Sequence, residues 1–375
     1  MKKNITAILF SVLAILLTDG CKSGKVQKEQ TSDQTKGLKD YYKNYFTIGA
    51  AVSPQGLKRE DEAQLIIEQF ASMTPENAMK MGPIHPRENE YNWRDADSIV
   101  AFAKKNHLKI RGHCLCWHNQ TPRWLFIDSS KGRADTVSKE LLFKRLKEHI
   151  TAVVSRYKDA VYAWDVCNEV ISDNPNEYFR NSPWYRICGE EFVEKAFEYA
   201  HEADPKALLF YNDYNETNPV KREKIIRMVK GLKDKGVPIS GVGLQCHWSM
   251  WGVTAGQIDS TLSDFAKLGL IIQITELDLK VQPNGPVARQ DSATGYTAER
   301  ETKQAETYKM IFEQFRKYKS VISAVTFWNV SDKYSWLDNR NRGKAYPLLF
   351  DTTYHPKKAY REIVNFDKTK DQKGF

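Results

Sequence analysis

The sequence has no CxxC pair among its six cysteines, which argues against a disulfide framework or a thiolate metal site. No glycine-rich GxGxxG follows the first strand-like run, which counts against a dinucleotide fold. No basic run is interleaved with aromatics. The formal net charge is +9, but the first 44 residues are rich in Lys, so part of that excess sits outside any core. On these grounds nucleic acid is not expected as a partner. No internal repeat is visible.

What is present divides into four parts. Lys2 and Lys3 precede an apolar run, Ile5 to Leu17, that is too short for an ordinary spanning helix and has the length of a signal-peptide core. Gly20-Cys21 after it resembles a bacterial lipoprotein cleavage site, although Thr18 and Asp19 are unusual there. Residues 1–21 are therefore expected to be an export signal with Cys21 lipidated, and plain secretion is the alternative. The membrane would be met only through that anchor, and the protein would face the periplasm, the outer membrane or the cell exterior. Residues 22–37 hold almost no large apolar side chain and form a tether. Residues 38–366 form one folded domain, and 367–375 a short tail.

Within 38–366, apolar strand-like runs alternate with stretches of helical spacing. The strands fall at 45–52, 70–77, 108–118, 161–169, 207–215, 241–248, 270–279 and 321–332. The helices fall at 60–70, 95–107, 138–157, 190–204, 220–236, 257–269, 299–318 and 357–366. Near-continuous apolar strands are those of a parallel sheet buried on both faces. Eight such units predict an α/β fold, the (β/α)8 TIM barrel, with a doubly wound open sheet as the alternative. Cys114, Cys116 and Cys167 lie inside these strands and read as small core residues.

Chemistry in such a barrel sits at the strands' C-terminal ends. Here those ends carry Glu76-Asn77, His113 with Trp117 and His118, Asn168-Glu169, Asn212-Asp213, Gln245 with His247, Glu276 with Asp278, and Trp328. A single such residue would read as a helix cap or a salt-bridge partner, and His113 alone as a satisfied core histidine. Seven ends on one rim are hard to explain by capping. Strand periodicity puts Gln245 and His247 on one face of one strand and Glu276 and Asp278 on one face of the next, so His247 is expected to meet a carboxylate. Glu169 and Glu276 form a carboxylate pair suited to glycoside hydrolysis, one as acid and one as nucleophile or base. Trp117, Trp328 and Trp336 would offer faces to sugar rings. Divalent metal binding by the same carboxylates and histidines is the competing reading.

The stretches TPENAMK (74–80), RGHCLCWHNQTP (111–122), WDVCNE (164–169), GVGLQCHW (241–248), ITELD (274–278) and TFWNVSDKYSW (326–336) resemble, in this order, the glycoside hydrolase family 10 xylanases. The resemblance covers about Leu38 to Phe366. It implies a retaining endo-1,4-β-xylanase acting on xylan or xylo-oligosaccharides, with no cofactor and no metal. It implies Glu169 as acid/base, protonated at the outset, and Glu276 as nucleophile. It assigns Glu76, Asn77, Lys80, His113, Trp117 and Gln120 to the sugar on the non-reducing side. Asn168 would hold the 2-hydroxyl of the reacting sugar. Gln245 and His247 would flank the nucleophile, with Asp278 behind His247, and Trp328 and Trp336 would wall the same sugar. Asn329 stands where Gly is frequent, which is expected to alter the floor of the sugar site. The segment 283–297 is expected to shape the reducing side. A β-1,4-glucanase and a non-catalytic sugar-binding barrel are the alternatives.

Overall fold

Runs of bulky apolar residues, separated by polar stretches of helical period, build eight strand–helix units. The computed structural model describes residues 36–130, 135–283, 295–341 and 343–366. The expected export signal with Cys21, most of the expected tether, the tail 367–375 and most of the segment 283–297 lie outside the described residues.

The strands are β1 (Thr47–Val52), β2 (Ser72–Pro75), β3 (Lys109–Cys116), β4 (Val161–Asn168), β5 (Leu208–Asp213), β6 (Gly241–Leu244), β7 (Ile271–Lys280) and β8 (Ile322–Phe327). Each pairs in parallel with the next, and β8 returns to β1 through Thr47↔Ala324 to Ala50↔Phe327, so the barrel is closed. Closure rules out the open sheet. The main helices are α1 (Glu60–Gln69), α2 (Arg94–Lys105), α3 (Lys139–Tyr157), α4 (Glu191–Ala203), α5 (Pro219–Asp234), α6 (Ala255–Ala266), α7 (Ala298–Lys317) and α8 (Lys358–Val364).

Local chemistry sets their limits. α2 buries Ala96, Ile99, Val100 and Ala103, one stripe at helical spacing, against the barrel. The Asn218 side chain accepts the N–H groups of Val220 and Lys221 at the start of α5, with Pro219 in the first turn. Thr254 and Gln257 form a capping box on α6. Gly112 has its own reason: a Cβ there would stand 2.1 Å from the Trp164 ring, so the buried indole fits only against bare backbone. Inside the barrel, Arg111 of β3 pairs with Asp165 of β4, and its Nε donates to Gln273 of β7 at 2.8 Å. The five cysteines of the described domain are buried and unpaired, as core residues are, and burial pushes the thiols of Cys114, Cys116 and Cys246 well up.

The sixth strand departs from expectation. It stops at Leu244, because Cys246 takes a left-handed backbone (φ 57°) that no continuing strand can hold. His247–Ser249 then forms a short strand of its own on Asp278–Lys280 of β7. Several short elements escape periodicity altogether, among them the helices Met81–Ile84, Pro183–Cys188 and Leu337–Asn341. They follow β2, β4 and β8, and so build the loops at the strands' C-terminal ends.

Candidate active site

β4 ends by a sharp turn rather than by fading into a loop. Glu169 has φ 56°, a left-handed backbone of order 1–3 kcal/mol for such a residue. Several bonds hold it there. Its N–H donates to the Asn212 carbonyl at 2.9 Å, and Arg180 Nε donates to its carbonyl at 3.0 Å. The next two N–H groups, of Val170 and Ile171, donate to the Tyr211 hydroxyl, which itself donates to Asp213. The turn throws the Glu169 carboxylate into the cleft. One oxygen accepts Trp117 Nε1–H at 2.9 Å and the other accepts Gln245 Nε2–H at 3.1 Å. His118 stands 3.9 Å away, and burial, reinforced by Arg180, lowers its imidazole to about 4.

Glu276 is held differently. Its Oε1 accepts Asn212 Nδ2–H at 2.7 Å, and its Oε2 faces His247 Nε2 at 3.1 Å. His247 Nδ1 lies 2.8 Å from Asp278 Oδ2, which also accepts Trp336 Nε1–H at 2.8 Å. Burial works against the charge on His247, but Asp278 and Glu276 outweigh it and push the ring up to about 10. The imidazolium therefore donates to both carboxylates. Burial likewise opposes the charge on Glu276, and the His247 hydrogen bond with nearby positive charge overrides it, drawing the carboxyl down to about 2. The expected contact between His247 and a carboxylate is present twice over.

Asn212 joins the two halves. Its Nδ2 donates to Asn168 Oδ1 at 2.8 Å as well as to Glu276, and its Oδ1 accepts Thr275 Oγ1–H at 2.7 Å. Gln245 Nε2 also donates to Asn168 Oδ1, at 3.3 Å. With its oxygen saturated, Asn168 turns its NH2 to the cleft. The sequence marks Asn212 only as a polar strand end; its role depends on the register of four strands. Gly243 of β6 makes room for it, since a Cβ there would lie 2.3 Å from Asn212 Oδ1. Gly243→Ala should displace that amide and lower kcat by about 10- to 100-fold with the barrel still folded, as steady-state kinetics beside circular dichroism would show.

Beyond this centre, Asn77 Oδ1 accepts Lys80 Nζ–H at 3.0 Å and Gln120 Nε2–H at 3.3 Å. Lys80 lies 4.8 Å from the Trp117 ring centre and 5.9 Å from that of Trp328. Burial raises the Glu76 carboxyl, with Lys80 opposing. His113 sets Nδ1 2.8 Å from Asp165, so it is a satisfied core histidine and a wall of the cleft at once. Glu76, Asn77, Lys80, His113, Trp117 and Gln120 line one open cleft of about 630 Å3 together with Asn168, Glu169, Gln245, His247, Glu276, Asp278, Trp328 and Trp336, while Asn212 and Asp213 lie behind its walls. Asn329 is not among its walls. Its φ is 126°, and its side chain is spent on the Tyr334 carbonyl and the Val330 N–H, so the side chain itself forms no part of the cleft wall. Arg180, Tyr214, Lys280 and Arg340 are walls that the motifs did not mark. Among the described residues, no group of three or more His, Cys, Asp or Glu side chains is arranged to hold a metal ion.

Residues 37–366 match the family described as Glycosyl hydrolase family 10. A beta-1,4-xylanase of Dictyoglomus thermophilum is 47% identical over 367 residues, 95% of this chain and 99% of that one. Endo-1,4-beta-xylanase B of Paenibacillus barcinonensis is 46% identical over 339 residues, 90% of this chain and 100% of that one. A mutant protein solved in complex with xylotriose superimposes with a TM-score of 0.85 at 41% identity, covering 88% of this chain and 100% of the other. With the barrel closed, the cleft at its expected face and nearly the whole domain matched, the chain belongs to glycosyl hydrolase family 10.

Proposed function

We propose that the protein is an endo-1,4-β-xylanase that cleaves internal bonds of xylan with retention of configuration. Glu276 is the nucleophile and Glu169 the acid/base. One observation carries the assignment: the two carboxylates, Glu169 directly after β4 and Glu276 within β7, stand beside one cleft, joined by an amide chain, yet only Glu276 is pinned against an imidazolium. Family membership and the xylanase relatives support the substrate, as does the relative solved with xylotriose.

Glu276 attacks the anomeric carbon as the glycosidic C–O bond breaks, and the proton of Glu169 goes to the leaving oxygen. The product of this step is a glycosyl ester on Glu276. Glu169 then takes a proton from water, the water oxygen attacks the same carbon, and Glu276 leaves as carboxylate. The NH2 of Asn168 is free to hold the 2-hydroxyl, and Lys80 and Asn77 the next sugar on the non-reducing side.

The test is to count reducing ends released from xylan and, separately, from a soluble β-1,4-glucan. The first-formed anomer is followed by proton NMR. Fast release from xylan with the β-anomer appearing first is expected. Release mainly from glucan would overturn the substrate, and an α-anomer first would overturn the mechanism.

A further inference from the structure

β7 carries a third charged side chain on the face that bears Glu276 and Asp278. Lys280 follows at the same spacing of two, is half-buried and lines the cleft. Arg340, in the short helix Leu337–Asn341, lines the cleft from the loop after β8 and lays its guanidinium 4.4 Å from the centre of the Trp336 ring. Both cations therefore face the same cleft, one from β7 and one from the loop after β8. Burial first, and then the charge of Arg340, hold the Lys280 ammonium below the usual lysine range, with Asp278 pulling the other way.

Among the described residues neither cation forms an ion pair or a hydrogen bond. This sets them apart from the lysines and arginines around them. Lys344 is tied to Asp338, Lys357 to Asp332 and Lys221 to Asp173. Asp278 acts on Lys280 only through its charge, without a direct bond, and its Oδ2 is engaged by His247 and Trp336. Sugar hydroxyls do not call for two unpaired cations on one cleft wall, whereas a carboxylate is recognised by either group, bidentately by a guanidinium and as a point charge by an ammonium.

We propose that Lys280 and Arg340 form an anion-recognising subsite beside the reacting centre that takes the carboxylate of a uronic-acid branch on the polysaccharide. This rests on the reading of the cleft as a xylan site.

The experiment uses a linear xylo-oligosaccharide, the same chain carrying one glucuronosyl branch, and the methyl ester of that branched chain, which keeps the shape and removes the charge. The protein is expected to cleave the free acid with a kcat/KM about tenfold above the ester at low salt. The preference should shrink toward unity in about 0.5 M NaCl, where screening lengths fall to a few ångströms. Lys280→Met and Arg340→Met should each reduce the ratio, and the double variant should abolish it. Lys280→Gln serves where the Met variant fails to fold. Equal cleavage of acid and ester by the unaltered protein, or a preference that survives the double variant, overturns the subsite. Failure on the unbranched chain sinks the xylanase reading instead. Calorimetric binding of acid against ester still decides the subsite in that case.

Discussion

Glu276→Ala is expected to lower kcat on xylan by on the order of 10⁴- to 10⁶-fold, the loss seen when a nucleophile acting with its partners is removed. The scale follows from the site's construction. Asn212 and His247 are aimed at the two oxygens of this one carboxylate, so no neighbour can replace it. Azide separates a lost nucleophile from a damaged fold. In the vacated space it should attack the anomeric carbon of a substrate with a good leaving group and give the α-glycosyl azide. Glu169→Ala should give the β-azide, because Glu276 still forms the ester first. A Glu276→Ala protein within about 100-fold of the unaltered one, or one yielding the β-azide, would reverse the two roles. The charge state makes a second demand. A carboxyl drawn to about 2 is ionised across the working range, and its contribution to stability is present above 4.5 and lost as the pH falls through 2. His247, pushed up to about 10, contributes fully below 6.5 and loses its contribution as the pH rises through 10. The ring protons of His247 should therefore titrate near 10 by NMR. The midpoint should fall in Asp278→Asn, where the larger counter-charge is gone.

The barrel was legible because its signal repeats. Eight apolar runs at regular intervals cannot easily be anything else, and strand ends are where polar residues show against an apolar background. Glu169, Glu276 and His247 could thus be named before any coordinates. What the sequence hides is anything set by register between distant strands. Asn212 looks like a helix cap until β4, β6 and β7 bring Asn168, Gly243 and Glu276 around it. Gln245-Cys246-His247 alternates like a strand, and only a left-handed Cys246 shows that it breaks there. Lys280 and Arg340 stand in unrelated segments, and nothing in either predicts the other. Asp165 is the strongest case, a charge in the middle of an apolar run that no strand-end argument reaches.

Asp165→Ala should destabilise the fold by about 3–5 kcal/mol, the usual result of leaving a buried charge without its partner. For a domain of this size that is a fall in Tm on the order of 10 °C by calorimetry. Arg111 is 1% exposed and Asp165 is not exposed at all, so water cannot take over the solvation of the guanidinium. Burial works against the charge on Arg111, and Asp165 more than offsets it; a guanidinium does not lose its proton in a protein, so removing the carboxylate leaves a buried charge with that burial uncompensated. Gln273 accepts only the Nε–H, leaving the other donors of the fork unsatisfied. Asp165→Asn keeps the volume and should still lose most of that stability, whereas the paired change Arg111→Met with Asp165→Leu should recover it, since an apolar pair of similar size is often as stable as a buried ion pair. Activity should part company with stability in the double variant. Asp165 also fixes His113 at 2.8 Å, and His113 packs its ring edge-on to Trp328 at 5.1 Å on the cleft wall. A double variant that regained its Tm but kept a raised KM would show that this interior charge pair is retained to orient the sugar site, and that the barrel itself does not require it.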